Sequence, residues 1–509
     1  MMMKYLWRVC VLSVFFLVGC TSQTEYTNAL PKEASVVASV DLPSIIKKSG
    51  LQGAEGEKVT AKLLPMIQSG LTGEAAKLAE KMVKNPQELG LSFHEKAYFF
   101  ATPNATAWGM LAKVDSESKL EEVFAILQKE QLATPLKEES GCRWTQIGGA
   151  VCAFNASSFL LVQDAHGDAS SIKGSVFRWM RQDAEESFNS RPAFVSMKEE
   201  QGDITSYVNL SVVPHEYTSV VRMGLPGEIG VEDIAYLFSL RFDDGQVSFR
   251  TRSLSDHSLV NRIFRNLDEC TSSMAGKFLP YFPANVDLWL GANLQGKRLY
   301  DLMAGHPLLR KMLENPKLPV DVKRIFSAIK GDVAIGYTSL LQGSFLAYAD
   351  VSSADFLQTF EELRPLCEMS GGQLSLETLG KDQYLLKTYQ GPYWFGVRNG
   401  LCYVTNDATL ADEAGRNYGV SLQQKPWAAN ADKQRFLLVN QNLEFRNAIR
   451  SMKLVPGLVQ MPGASILLAA LTQSEAFTVS VPEWNASEFT FYLRDSKKNL
   501  LQTFISLWK

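Results

Sequence analysis

The sequence predicts an α+β protein of two tandem, similar halves, each a mostly antiparallel sheet with packed helices. Three observations carry this expectation. The first is an internal match: Leu30-Pro31, then Val36-Val37 and Val40-Asp41-Leu42, aligns without a gap to Phe282-Pro283, Leu288-Trp289 and Ala292-Asn293-Leu294 at an offset of 252. Self-similarity of this kind is the signature of a repeated fold. The second is that strand and helix periodicities are mixed along each half, with hairpin signals between neighbouring strands, as an antiparallel sheet with helices on it requires. The third is that further matches keep one order along the chain.

Those matches justify the elements in turn. Each half opens with a proline, polar turn residues and an apolar strand, 36–40 in the first half, whose continuous apolar run implies burial on both faces. Helical spacing follows at 57–68 and 75–84, with Thr72 and Gly73 placed to cap the second helix. Leu111 to Asp115 precedes a helix over 119–129, and Leu346 to Asp350 precedes one over 353–363. Residues 149–164 and 391–407 both read as strand, turn, strand. Ser187 to Pro192 matches Ser421 to Pro426, Tyr207-Val208-Asn209 matches Leu438-Val439-Asn440, and Leu225-Pro226-Gly227 matches Val455-Pro456-Gly457. Asp243-Asp244-Gly245 is a hairpin signal before a closing strand at 246–252. Closing strands at 247–249 and 489–491 lead into helices over 255–267 and 497–507. The drift of the offset reflects insertions and deletions in loops. The boundary between the halves falls near 270–282, giving a first repeat over 30–275 and a second over 276–509.

Before the first repeat, Lys4 and Arg8 precede an apolar run at 9–16 and then Leu17-Val18-Gly19-Cys20. This resembles the lipobox of bacterial lipoproteins, in which the peptide is cut before Cys20 and that thiol is acylated. The run is too short for a spanning helix, which takes about 20 apolar residues, and suits a signal-peptide core of about 7–15. Residues 1–19 therefore read as a lipoprotein signal peptide and 20–29 as a lipidated tether. Several acyl chains anchor stably where one does not. Thr21, after Cys20, is not the aspartate that retains lipoproteins in the inner membrane, so the outer membrane is expected. Glu25 is the only acidic residue before Lys32-Glu33, which favours the periplasmic face over the extracellular one.

Composition excludes several classes. Loss of residues 1–19 removes Lys4 and Arg8 and leaves 49 basic against 54 acidic residues, a formal charge of −5. No basic block of the kind nucleic acid needs is present. The apolar stretch at 464–471 is too short to cross a bilayer. Of seven cysteines, Cys10 leaves with the signal and Cys20 takes lipid. Cys142, Cys152, Cys270, Cys367 and Cys402 remain, an odd number with no CxxC spacing. Cys142 and Cys152 flank a hairpin at Gly148-Gly149, where a two-residue turn pairs Cys152 with Thr145. Buried free thiols are the expected state.

The opening Pro31 to Val37, with Val40-Asp41-Leu42 and Lys48-Ser49-Gly50 behind a lipobox, resembles a family of lipoproteins of the Bacteroidota catalogued as a domain of unknown function. Ser187 to Pro192, Gly202-Asp203-Ile204 and Tyr207-Val208-Asn209 fit the same family, and the likeness covers nearly the whole mature chain. It implies a cell-envelope lipoprotein and carries no catalytic residues.

Catalytic and metal-binding patterns are missing. None of His94, His166, His215, His257 and His306 forms HxH or HExxH, so no metal site and no cofactor is expected. His94-Glu95 reads as a surface loop before a strand at 97–101. There is no GxSxG elbow, and the glycines at 224–230 lack a P-loop lysine. The acidic pairs Glu138-Glu139, Glu199-Glu200, Asp243-Asp244 and Glu361-Glu362 read as solvated turns and helix faces. One strand stands out: Tyr393-Trp394-Phe395, where alternation sends Tyr393 and Phe395 to one face and Trp394 to the other. Exposed rings there would stack on a sugar; buried rings would fill a core, as expected for Trp289 and Trp427. The expectation is a non-enzymatic envelope lipoprotein, membrane-bound through Cys20, that binds a protein or polymer partner. The alternative is a surface glycan- or solute-binding lipoprotein, with a hydrolase of unrecognised site ranked behind both.

Overall fold

The computed structural model describes residues 25–50, 73–213, 229–313, 320–398, 400–442 and 470–507, with isolated helical positions at 56–57, 61, 64–65 and 444. Leu17, Val18, Gly19 and Cys20, most of the helix expected over 57–68, the Thr72 cap and the matched turns at 225–227 and 455–457 lie outside the described residues. The described residues pack into two compact units, one within 1–239 and 504–509 and one within 240–503.

In the first unit, strand β1 (Val36–Asp41) leads into helices α1 (Leu42–Ser49) and α2 (Gly73–Lys84). Asp41 ends the strand and starts α1. Its carboxylate accepts the Ser44 N–H at 2.9 Å, and Gly50 closes the helix at φ +71°, a left-handed conformation natural to glycine. Next come β2 (Lys96–Ala101), β3 (Ala107–Lys113) and α3 (Glu117–Lys129). Strands β4 (Lys137–Glu139), β5 (Cys142–Ile147), β6 (Ala150–Phe154) and β7 (Ser158–Asp164) form successive hairpins. Helices α4 (Ala169–Arg181) and α5 (Pro192–Glu199) and strand β8 (Ile204–Asn209) complete the set. The sheet order is β8–β1–β2–β3–β7–β6–β5–β4, antiparallel at every pairing. Thr145 stands opposite Cys152, as the two-residue turn requires.

One expectation is corrected here. Strand β1 is not buried on both faces: Val37 and Ser39 are buried, while Val36, Ala38 and Val40 are half-buried. Its apolar continuity reflects a central position between β2 and β8 in an antiparallel sheet with a strongly buried face and a weakly covered one. The weakly covered face carries Phe99 and Trp108, 44% and 52% exposed.

Strand β9 (Ala235–Asp243) begins before the division at 239/240 and meets β10 (Gln246–Ser253) through a turn at Asp244-Gly245, with Gly245 at φ +73°. The second unit then continues through α6 (Ser258–Cys270), β11 (Thr271–Ser272), β12 (Leu288–Gln295), α7 (Gly296–Gly305), α8 (Pro307–Leu313) and α9 (Val322–Ala328). Strands β13 (Ile329–Ser339) and β14 (Ser344–Val351) follow. The helix expected over 353–363 is broken into a 3-10 turn at Asp355–Leu357, α10 (Gln358–Glu361) and α11 (Arg364–Met369); Pro365 at the head of α11 removes an N–H that a continuous helix would use. Strands β15 (Ser375–Gly380), β16 (Gln383–Thr388), β17 (Gly391–Arg398) and β18 (Leu401–Thr405), helix α12 (Ala408–Glu413), and strands β19 (Phe436–Asn440), β20 (Ser474–Glu483) and β21 (Ala486–Leu493) complete it, and α13 (Leu500–Leu507) begins before the division at 503/504. The order is β10–β21–β20–β19–β12–β13–β14–β18–β17–β16–β15, again antiparallel. The packing division precedes the boundary expected from the sequence at 275/276, and β10 pairs along its length with β21, from Gln246–Tyr492 to Arg252–Ala486.

In each unit the proline segment before the central strand is clasped by a distant 3-10 turn. Pro31 bridges Ser187, and the Phe188 N–H donates to Leu30 O at 3.1 Å. Pro283 bridges Ser421, and the Leu422 N–H donates to Phe282 O at 3.1 Å. Leu30, Phe188, Phe282 and Leu422 are fully buried. Beneath the clasp of the second unit lies a core of Phe278, Phe282, Trp289, Tyr348 and Trp427, with Trp289 and Trp427 5.9 Å apart. The first unit holds a core under its hairpins, where Phe124 and Phe154 stack at 5.5 Å.

Burial pushes the hydroxyls of Tyr98, Tyr348 and Tyr492 up to about 12 from their ordinary value of 10.0. The unfolded chain ionises these tyrosines near pH 10 while the folded chain keeps them protonated, so the unfolded state binds fewer protons above pH 10. Their stabilising contribution is therefore complete below pH 10 and is lost as pH rises towards 12. Urea titrations are expected to show a midpoint falling steadily across that window. Full development of tyrosinate absorbance near pH 10 in the folded protein would contradict this.

Candidate functional site

Strand β17 holds the aromatic run singled out from the sequence. Phe395 is 7% exposed and packs 4.5 Å from Phe360 and 5.5 Å from Tyr384 in a small core with Phe356, Leu357 and Leu376. Trp394, on the opposite face, packs against the larger core of Trp289 and Tyr403. The alternation is as expected, and each face finds its own core. Tyr393 shares the Phe395 face and is half-buried, opposite Leu386 of β16. The three rings therefore do not form an open stacking platform. Trp289 and Trp427 are both buried.

Among the described residues, no cluster of His, Cys, Asp and Glu is arranged to hold a metal ion, and no helix is long and apolar enough to cross a membrane. His94 is exposed ahead of β2, and Glu95 pairs with Lys113 at 3.1 Å. Glu138 and Glu139 lie in strand β4 rather than in a turn or helix. Glu361 is paired with Arg364, whose guanidinium beside it holds its carboxyl below the usual range. Cys142, Cys152, Cys270, Cys367 and Cys402 are free. Burial pushes the Cys152 thiol well above its ordinary value, so little thiolate is present for nucleophilic chemistry.

The sequence did not point to a cleft of about 390 Å³ in the second unit. One wall is a single face of α6: Asn261, Phe264, Arg265 and Asp268, spaced i, i+3, i+4 and i+7. The other is Arg435, at the start of β19, with Glu483 and Asn485 at the tip of the β20–β21 hairpin. Its floor is tightly tied. Arg435 Nη1 donates to Thr271 O at 2.8 Å, and its Nε lies 3.4 Å from Asp268 Oδ1. Trp484 Nε1 donates to Thr271 Oγ1 at 2.8 Å, and Ser253 N donates to Asn485 O at 2.7 Å. The Oδ1 of Asn485 is buried with no hydrogen-bond partner among the described residues. The legible signal was a helix face mixing one aromatic with carboxamide, guanidinium and carboxylate groups. It could not be told from a solvated face without the hairpin opposite it.

With this geometry in hand, comparison with known proteins is informative on family. A profile described as domain of unknown function DUF4836 matches residues 26–470. The chain belongs to that family. No curated protein matches. Among solved structures, crystal form III of TP0453 is similar over 48% of this chain and 88% of its own, at 11% identity and a TM-score of 0.28. Crystal form IV of the same protein gives 12% identity and a TM-score of 0.28, over 48% and 86% of the two chains.

Thiol titration checks the cysteine assignment. A chain starting at residue 21 is expected to release five thiols on denaturation, with or without prior reduction, because all five remaining cysteines are free. Cys142, Cys152 and Cys270 should react slowly with a disulfide reagent before unfolding. A lower count without reductant would reveal a disulfide.

Proposed function

We propose that this DUF4836 protein is a lipoprotein of the bacterial cell envelope, of the kind found in the Bacteroidota, anchored through acylated Cys20. In this reading it is a non-enzymatic binding protein of the outer membrane, facing the periplasm. The Leu17-Val18-Gly19-Cys20 motif behind Lys4 and Arg8 supports the anchor. The observation that carries the binding role is the apolar face of the first unit's sheet. Phe99 and Trp108 stand exposed on neighbouring strands, on the same face as Val36, Ala38 and Met110. Contiguous exposed apolar surface marks interaction sites in soluble proteins. A protein or polymer of the envelope is the partner class.

We infer further that the two units arose by tandem duplication. The common strand order, the paired clasps at Pro31–Ser187 and Pro283–Ser421, and the ungapped offset of 252 support this. The strand registers set two of the sequence matches differently. Val37 faces Tyr207 while Trp289 faces Val439, so Tyr207 corresponds to Val439 rather than Leu438. A one-residue slip would turn the strand inside out, and burial of both Tyr207 and Val439 fixes the register. Likewise Phe100 faces Gly109 where Gly336 faces Leu346, which aligns Leu111 with Tyr348.

Metabolic labelling with an alkyne fatty acid tests the anchor. The wild-type chain is expected to be labelled and to sediment with outer membranes, to resist protease in intact cells and to be cleaved after lysis. Cys20→Ala should be unlabelled. An unlabelled wild-type chain in the soluble fraction would contradict the proposal.

A further inference from the structure

We propose that the cleft between α6 and the β20–β21 hairpin binds one pyranose ring of a glycan. The inference rests on the binding-protein reading above and names a ligand class for a second surface, distinct from the Phe99 and Trp108 face. Its volume of about 390 Å³ lies at the small end of ligand pockets, which suits a single ring rather than a long chain.

The chemistry of the walls selects the class. Arg265, Arg435, Asp268 and Glu483 contribute two positive and two negative charges, so the site has no net charge to attract a phosphate or a polycation. Guanidinium, carboxylate and carboxamide groups are planar, and each offers two donors or acceptors side by side. That spacing matches the adjacent hydroxyls of a sugar, which donate and accept at once. A sugar ring also presents an apolar C–H face. Phe264 is half-buried in the same wall, where an aromatic ring can cover that face.

Two details show the site to be built rather than incidental. The β20–β21 hairpin that forms one wall is held by Trp484 on Thr271 and by Ser253 on the Asn485 carbonyl, so that wall is fixed before a ligand arrives. Arg435 is anchored as well, its Nη1 donating to Thr271 O at 2.8 Å. Arg265 and Asn261 are exposed and extend the wall into solvent, where the next residue of a glycan would continue.

Saturation-transfer NMR on the full mature chain tests this, with cellobiose, maltose, mannobiose and N,N′-diacetylchitobiose as probes and glycine betaine as a zwitterionic control. Transfer to at least one disaccharide is expected, with affinity reduced at least about tenfold in Glu483→Ala and in Arg265→Ala, both exposed lining residues. Arg265 is exposed, so its variant keeps the fold, and matching thermal melts confirm this for both. Three results would overturn the proposal: no transfer to any disaccharide at about 10 mM, equal transfer in wild type and both variants, or transfer to glycine betaine alone. Each leaves lipidation and membrane fractionation unaffected, so loss of the sugar site and loss of the envelope reading are separately visible.

Discussion

Everything in each unit depends on a central strand hydrogen-bonded along both edges. Strand β1 lies between β2 and β8, and β12 lies between β13 and β19. The partner on one side is the next strand to arrive along the chain. The other partner arrives only after the hairpins and helices have been laid down. The clasp at the head of the central strand makes that late return specific. A serine bridged to the proline segment, a buried apolar residue beside it and a proline-led helix after it deliver β8 and β19 in register. Without the clasp, the long-range pairing would bear its loop-closure entropy with no local contact to offset it.

The clasp also shows how much variation the arrangement tolerates. In the first unit Arg191 Nη1 donates to the carbonyls of Lys32 and Ala34, and its Nη2 donates to the Tyr207 hydroxyl. In the second unit Lys425 stands in its place. There Gln441 Nε2 donates to Ala284 O and Val286 O, at 3.2 and 3.0 Å. The same two carbonyls, 252 positions apart, are satisfied by different side chains from different elements. Buried backbone acceptors need a donor, but not a particular one. Phe100 over Gly109 and Phe282 over Gly336 show the same freedom in volume: space vacated at one position is filled from another.

These exchanges explain what was legible in the sequence. The order of elements could be read because turns and strand starts are written locally: Pro31 and Pro283, Ser187 and Ser421, and Gly148-Gly149 with Thr145 opposite Cys152. The register of β8 against β1 could not be read, because Tyr207-Val208-Asn209 and Leu438-Val439-Asn440 look alike although burial shifts them by one residue. The apolar run at 36–40 concealed an uneven sheet, since composition does not report which face a helix covers. The helix expected over 353–363 forms only as a 3-10 turn and the short α10, and Pro365, with no N–H to bond back to the Glu361 carbonyl, separates α10 from α11. Tyr393, Trp394 and Phe395 were rightly assigned to opposite faces, yet those faces are occupied by two separate cores. The cleft at Asn485 escaped notice because its walls come from elements far apart in the chain, brought together by the β10–β21 pairing and by Arg435 and Trp484 on Thr271.

Hydrogen–deuterium exchange on the intact chain tests the central claim most directly. If both units hang on a doubly paired strand, the amides of β1 and β12 exchange slowest in their units, and those of the outer strands β4 and β15 exchange first. Protection of β1 or β12 no greater than that of β4 or β15 would contradict the account.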